Sequence, residues 1–189
     1  MTDLPTPLPL APLPPAPRRA TFRFMLENPL HVFALGFGSG LSPKAPGTVG
    51  TLWAWLAFLV LQPRLDAAAW AAVIAGGFAF GCWACTVAAR HLGQADPGAI
   101  VWDEVIAFWL VLWLVMPAGF PGQCVAFALF RYFDAAKPGP VGWADARFKP
   151  RYGPDHRLAI GWAQGFGILF DDLVAALCTL LVIALWRFL

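Results

Sequence analysis

Three short stretches carry most of the chemistry available to this chain. They are DPGAIVWDE at 96–104, FRYFDAAKPGP at 130–140 and GFGILFDD at 165–172. Together they hold Asp96, Asp103, Glu104, Asp134, Asp171 and Asp172, six of eleven acidic residues, and each stretch abuts an apolar segment. A carboxylate at the centre of a membrane helix costs about 2.5–3.5 kcal/mol on insertion scales, and less near the interface. Acids placed there in a chain this poor in charge need a partner. Hard oxygen ligands without an accompanying Cys or His cluster suit Mg²⁺ better than zinc. A divalent cation beside Arg131 and Lys137 in turn suits phosphate chemistry, because Arg grips phosphate oxygens as a bidentate fork and Lys as a point charge. The six acids are therefore candidate metal ligands, and Asp103, Asp134 and Asp172 are the candidate catalytic residues among them.

Each motif also has a plainer reading. Asp103 and Glu104 open an apolar helix, where acids complement the macrodipole. Capping alone does not call for two acids at an apolar boundary. Arg131, Asp134 and Lys137 are spaced three apart and can form a surface ladder, worth only a few tenths of a kcal/mol, before Pro138 and Pro140 end the helix. Asp171 and Asp172 are adjacent, so on a helix they point about 100° apart and cannot face one spot equally. One of them is expected to bind metal and the other to support the site or face a neighbouring helix. A lone membrane aspartate can also belong to an ion pathway.

Other constellations are weaker. Cys82 and Cys85 form a CxxC with no second pair and lie inside an apolar run, which reads as small packing residues rather than a zinc or redox site. His31, His91 and His156 lack ligand spacing, although His91 and His156 could approach the site from its loops. No GxSxG motif appears, and the glycines near 36–50 lack the GK[ST] ending of a P-loop.

The elements that must position the acids follow from composition. Of 189 residues, 59% are hydrophobic and 13% charged, with 16 Phe and 10 Trp. Soluble domains carry about 25% charged residues. This excess of apolar surface predicts an all-α integral membrane bundle with about four to five apolar segments, arranged as one domain over 29–189. Residues 1–17 contain seven prolines and no apolar run, which predicts a disordered or polyproline-II tail. With the basic lead-in through residue 28, carrying Arg18, Arg19 and Arg23, it forms a flexible arm that reads equally as lying on an anionic membrane face or as a plain tether. No basic block with interleaved aromatics points to nucleic acid.

Apolar helices are expected over 49–61, 67–89, 105–116 and 162–188, with a shorter segment at 123–133. That segment is too short to span alone, so it is either re-entrant or extended to about residue 136. If all five cross, the loops 36–50, 90–104 and 134–161 fall on one side. Arg18, Arg19, Arg23, Lys44, Arg90, Arg131, Lys137, Arg147, Lys149, Arg151 and Arg157 share that side, and only Arg64 and Arg187 lie on the other. The positive-inside rule makes the basic side cytoplasmic. Every acidic motif gathers at the same face.

GLSPKAPGTVGTL at 40–52, followed in order by the three acidic stretches, resembles the phosphatidylglycerophosphatase A family of bacterial membrane phosphatases over roughly 30–189. The resemblance implies Mg²⁺-dependent removal of the terminal phosphate of phosphatidylglycerophosphate at the inner membrane, giving phosphatidylglycerol and phosphate. It implies that the loop 42–51 closes over the site, with Lys44 and Thr48 joining Arg131 and Lys137 as phosphate contacts. It does not account for the proline-rich tail or the basic stretch 147–157. A metal-activated water is preferred to an aspartyl-phosphate as the route of attack. Three alternatives are weaker. The DGxxAR pattern of a CDP-alcohol phosphotransferase is absent. A small cation channel or transporter with an acidic cytoplasmic entrance would be opposed by Arg131 and Lys137. A non-catalytic scaffold leaves the acids unexplained.

Overall fold

Proline, glycine and small polar caps set the helix boundaries. The protein is described here from a computed structural model that covers residues 17–148 and 160–188. The proline-rich tail up to residue 16 and the residues Lys149, Arg151, His156 and Arg157 lie outside the described residues. All regular structure among the described residues is helical.

Thr21 caps α1 (Phe22–Leu26), and its hydroxyl accepts the Phe24 amide. Asn28 likewise caps α2 (Pro29–Ala34), where Pro29 occupies the first turn without wasting a donor. A kinked 3-10 segment, Gly36–Leu41, leads to α3 (Pro46–Leu61). Asp66 caps α4 (Ala67–Leu92), which ends at Gly93 in the left-handed conformation. Next come α5 (Trp102–Val115), α6 (Phe120–Ala136), α7 (Pro140–Phe148) and α8 (Trp162–Phe188).

The predicted helices at 67–89 and 162–188 are found with ends shifted by at most a few residues. The others needed larger adjustment. Pro46 starts α3 a turn before residue 49, and α5 begins at Trp102, so Asp103 and Glu104 lie within its first turn. The 123–133 segment lengthens at both ends into the 17-residue α6. The stretch after residue 134, expected as loop, contains α7, because Pro138 and Gly139 turn the chain and Pro140 restarts it as a helix. The lead-in before residue 28 is packed where it is described: Phe24 and Met25 are buried, and the Arg18 amide donates to the Leu92 carbonyl at 2.8 Å.

α8 is the hub, packing against α4, α5, α6 and α7. The core between them contains fully buried Phe58, Trp70, Ile106, Phe108, Leu112 and Phe130. Indole donors are satisfied across helices, Trp109 to the Ala54 carbonyl at 2.8 Å and Trp102 to the Gly77 carbonyl at 3.0 Å. The outer faces stay apolar too, with Leu52, Leu56, Val60, Leu177, Leu181 and Leu185 exposed. Helices apolar on both faces suit a hydrocarbon surround. Ala67–Leu92 and Trp162–Arg187 are long and apolar enough to cross a membrane, and Pro46–Leu61 is a shorter apolar helix. The cysteines of the CxxC are free and buried inside α4, as the packing reading expected.

Candidate active site

The chain alternates direction through α3, α4, α5, α6 and α8, so one end of the bundle collects the starts of α3, α5 and α8 and the ends of α4 and α6. All three acidic motifs meet there, around a cavity of about 340 Å³. Asp103 and Glu104 reach it from the first turn of α5. Their approach is fixed from both sides, since the Val101 amide donates to the Ala34 carbonyl at 3.0 Å and the Ile100 amide to the Pro97 carbonyl at 2.9 Å. Asp171 and Asp172 reach it from α8 and are 7% and 3% exposed. Gly165 brings α8 against α4, where an added Cβ would overlap Thr86 and the Cys82 carbonyl.

The acids do not play equal parts. Asp103, Glu104 and Asp172 each offer one oxygen such that the three oxygens lie within 4.8 Å of one another. Asp103 Oδ1, Glu104 Oε2 and Asp172 Oδ2 are buried and have no hydrogen-bond partner. Buried carboxylate oxygens without donors are costly, and three converging carboxylates repel one another unless bound protons or a cation neutralise them. This hard-oxygen donor set fits a divalent cation of the Mg²⁺ type. Asp171 turns instead toward Lys137, so the adjacent pair divides as helix geometry requires. Asp96, itself exposed, lines the cavity from the loop before α5.

Asp134 lines the cavity from the last turn of α6 and is ion-paired with Arg131 one turn earlier. Arg131 also sits 3.7 Å from Glu104 Oε1 and 3.4 Å from the Thr51 hydroxyl. Lys137 ends α6 in the left-handed conformation. Its ammonium donates to Asp145 Oδ1 at 2.7 Å and Asp171 Oδ2 at 2.5 Å. Burial alone would lower the pKa of Lys137, but the two carboxylates outweigh it and hold the amine above its ordinary value.

The loop before α3 meets the site through a different residue from those expected. Lys44 is exposed, and neither it nor Thr48 lines the cavity. Gly47 makes the close approach: an added Cβ would collide with Glu104 Oε1 and stand 3.1 Å from the Arg131 guanidinium. His91 also lies elsewhere. Its Nδ1 is 2.8 Å from Nε2 of buried His31, in the cluster that joins α1 and α2 to the end of α4. Burial pushes the pKa of His31 down, against the opposing effect of its contact with the Phe24 carbonyl.

Two residues were not foreseen. Asp145 lines the cavity from α7. Its available signal was the Pro-Gly-Pro restart at 138–140, which places a new helix, and an acid on it, directly after Lys137. Gly47 had only the weak signal of lying in a glycine-rich segment.

A family model and two relatives carry one family name, and a third relative carries another. The family model described as phosphatidylglycerophosphatase A matches residues 32–187. The chain is 34% identical over 161 residues to phosphatidylglycerophosphatase A of Haemophilus influenzae, across 85% of this chain and 90% of that protein. It is 35% identical over 156 residues to the protein of the same name from Escherichia coli, across 82% of each. It is also 35% identical over 161 residues to a putative phosphatidylinositol-3-phosphatase of Bacteroides thetaiotaomicron, across 80% of this chain and 89% of that protein. No solved structure gives a significant match.

Proposed function

The chain belongs to the phosphatidylglycerophosphatase A family, and from that premise we propose that the acid-lined cavity is where it hydrolyses phosphatidylglycerophosphate with the help of Mg²⁺. The observation that carries the assignment of the site is the convergence of Asp103, Glu104 and Asp172, each with an unpartnered buried oxygen, at one end of an apolar bundle. These three residues would hold the metal. Bound there, Mg²⁺ would supply Lewis acidity and neutralise charge on the phosphoryl group.

The protein's own groups do the rest. Lys137 meets phosphate oxygens from the cavity lining, and Arg131 offsets charge from behind Glu104 and Asp134. Phosphomonoester hydrolysis is among the slowest uncatalysed reactions, and such preorganised charges supply most of what an enzyme adds. Water adds to phosphorus, the bond from phosphorus to the glycerol oxygen breaks, and that oxygen takes up a proton. The products are phosphatidylglycerol and inorganic phosphate. Asp134 and Asp96 border the cavity as candidate acceptors for the proton that water loses.

The same proposal gives the protein a multi-pass arrangement in the bacterial inner membrane, with the site on the cytoplasmic side. Among the described basic residues, Arg64 and Arg187 lie at the far end, and the remainder cluster at the site end, as the positive-inside rule requires. α3 and α5, at 16 and 14 residues, extend only about 24 and 21 Å, short of a roughly 30 Å core. A site end placed at headgroup depth accommodates that shortfall and meets the phosphate where the lipid presents it. The channel reading is disfavoured, because Arg131 and Lys137 sit inside the acid cluster and would oppose cation entry.

The test is phosphate release by the purified protein from phosphatidylglycerophosphate in mixed micelles. Release should require Mg²⁺, stop with EDTA, and exceed that from phosphatidylinositol 3-phosphate. No release by folded protein would overturn the reading. Faster release from the inositol lipid would keep the site and reassign its substrate.

A further inference from the structure

Lys137 is the one basic residue lining the cavity among the described residues, facing seven carboxylates: Asp96, Asp103, Glu104, Asp134, Asp145, Asp171 and Asp172. It does not pair with one of them alone. Asp145 on α7 and Asp171 on α8 grip its ammonium from two sides, at 2.7 and 2.5 Å. An ammonium has three N–H donors, and this arrangement commits two of them.

The chain devotes an unusual local structure to this grip. Lys137 itself adopts a left-handed conformation, φ 45°. Pro138 and Gly139, the latter at φ 52°, then reverse the chain, and Pro140 starts α7. Gly142 lets the first turn of α7 lie directly on the Lys137 carbonyl, only 2.6 Å from where a Cβ would stand. Together they bring Asp145, eight residues along, back against the side chain of the residue where the turn began. α7 does not depend on that contact for its seat. Val141 and Ala144 are fully buried, and Phe148 packs edge-on against Phe166 and Phe170 of α8.

We propose that Asp145 is a positioning residue for the phosphatase site, fixing the Lys137 ammonium from a second side, opposite its contact with Asp171, so that its third N–H is aimed at the substrate phosphate. The inference rests on the phosphatase reading above. Without Asp145, the ammonium keeps only its contact with Asp171 and turns about it, so its remaining N–H groups must be aligned each time the phosphate binds. The cost then falls on binding the phosphate and not on the subsequent bond cleavage.

The experiment is a double-mutant cycle on the full-length protein in mixed micelles of phosphatidylglycerophosphate with Mg²⁺. Asp145→Asn should raise KM about tenfold while kcat changes less than about threefold. Asp145→Glu should recover most of the KM loss. Asp145→Asn combined with Lys137→Met should be no worse than Lys137→Met alone, because residues acting through one contact are non-additive. Independent, multiplying losses would overturn the proposal, as would a fall in kcat at unchanged KM. A fall in Tm for Asp145→Asn that Lys137→Met does not share would assign Asp145 to anchoring α7 and overturn it equally. A wild-type protein inert toward the lipid is seen before any variant is compared, and it removes the phosphatase reading itself.

Discussion

The two ends of the bundle treat their polar groups in opposite ways. At the far end, Gln123 accepts from the Trp55 indole at 2.7 Å and donates to the Ala118 carbonyl at 2.9 Å. Arg187 donates to the Val115 carbonyl at 3.0 Å, and Asp66 caps α4. The atoms without partners there, Gln62 Oε1 and Trp70 Nε1, are neutral. At the site end, one buried oxygen on each of Asp103, Glu104 and Asp172 lacks a hydrogen-bond partner, and the three acids converge within a few ångströms of one another. One end spends its polar groups on closing helix termini and crossings. The other holds carboxylates ready for something the polypeptide does not itself supply. Unsatisfied buried charge costs more than an unsatisfied amide, so the site end carries the larger cost, which the proposed Mg²⁺ would relieve.

That contrast can be broken most directly at the acids. Asp172→Asn and Asp103→Asn should each lower phosphate release about 100-fold or more, in the range found for losing one preorganised electrostatic group, while membrane insertion and helical circular dichroism are retained. Near-normal turnover in either variant would remove that residue from the site. Gly47→Ala should come next, lowering release about tenfold because its Cβ displaces Glu104, a sub-ångström to ångström shift of the kind that costs one to two orders of magnitude. Activity equal to wild type would show that Glu104 does not need its observed position.

Metal binding offers a readout separate from turnover. A cation that binds only the folded site stabilises it by mass action. Adding Mg²⁺ should therefore raise the Tm of the wild type, and raise it little in Asp172→Asn. An equal rise in both would place the ion elsewhere. Gln123→Ala sharpens the other side of the comparison. It strands the Trp55 indole and should lower stability by about 1–3 kcal/mol, with kcat unchanged. A matching loss of kcat would show that the ends are not independent.

The smallest effect belongs to His31. Its pKa is lowered in the folded protein, so the unfolded chain binds the extra proton more readily and folding stability falls as pH drops through the ordinary histidine range. Tm should decline modestly between about pH 7 and 5, and His31→Gln should flatten the decline. A decline of the same size in that variant would assign the pH dependence to other groups.

Much of the candidate site was legible in the linear chain, because Asp103, Glu104 and Asp134 lie at helix ends and helix ends follow proline, glycine and apolar runs. The 123–133 segment was readable as a helix but not in its length, since Phe120 and Ala136 lie beyond its most apolar part. α7 was not readable as a helix at all. It is only nine residues long and starts at Pro140 just after Pro138 and Gly139, and it holds its place by packing Val141 and Ala144 against the bundle. Lys44 and Thr48 lie near the site in sequence order, but the chain presents Gly47 to it because α3 starts at Pro46 and only a residue without a side chain fits against Glu104.

What the amino-acid sequence determined alone was a helical, largely apolar chain with its acidic motifs at segment ends that alternate back to one face. Those are properties of composition and periodicity, and they follow from each segment separately. The tertiary structure decided which acids converge, that Asp171 serves Lys137 while Asp172 joins Asp103 and Glu104, and that Asp145 enters the site. Each of these depends on how one helix is rotated about its axis relative to the next. That rotation is set by interlocking side chains from distant parts of the chain, which no single segment encodes.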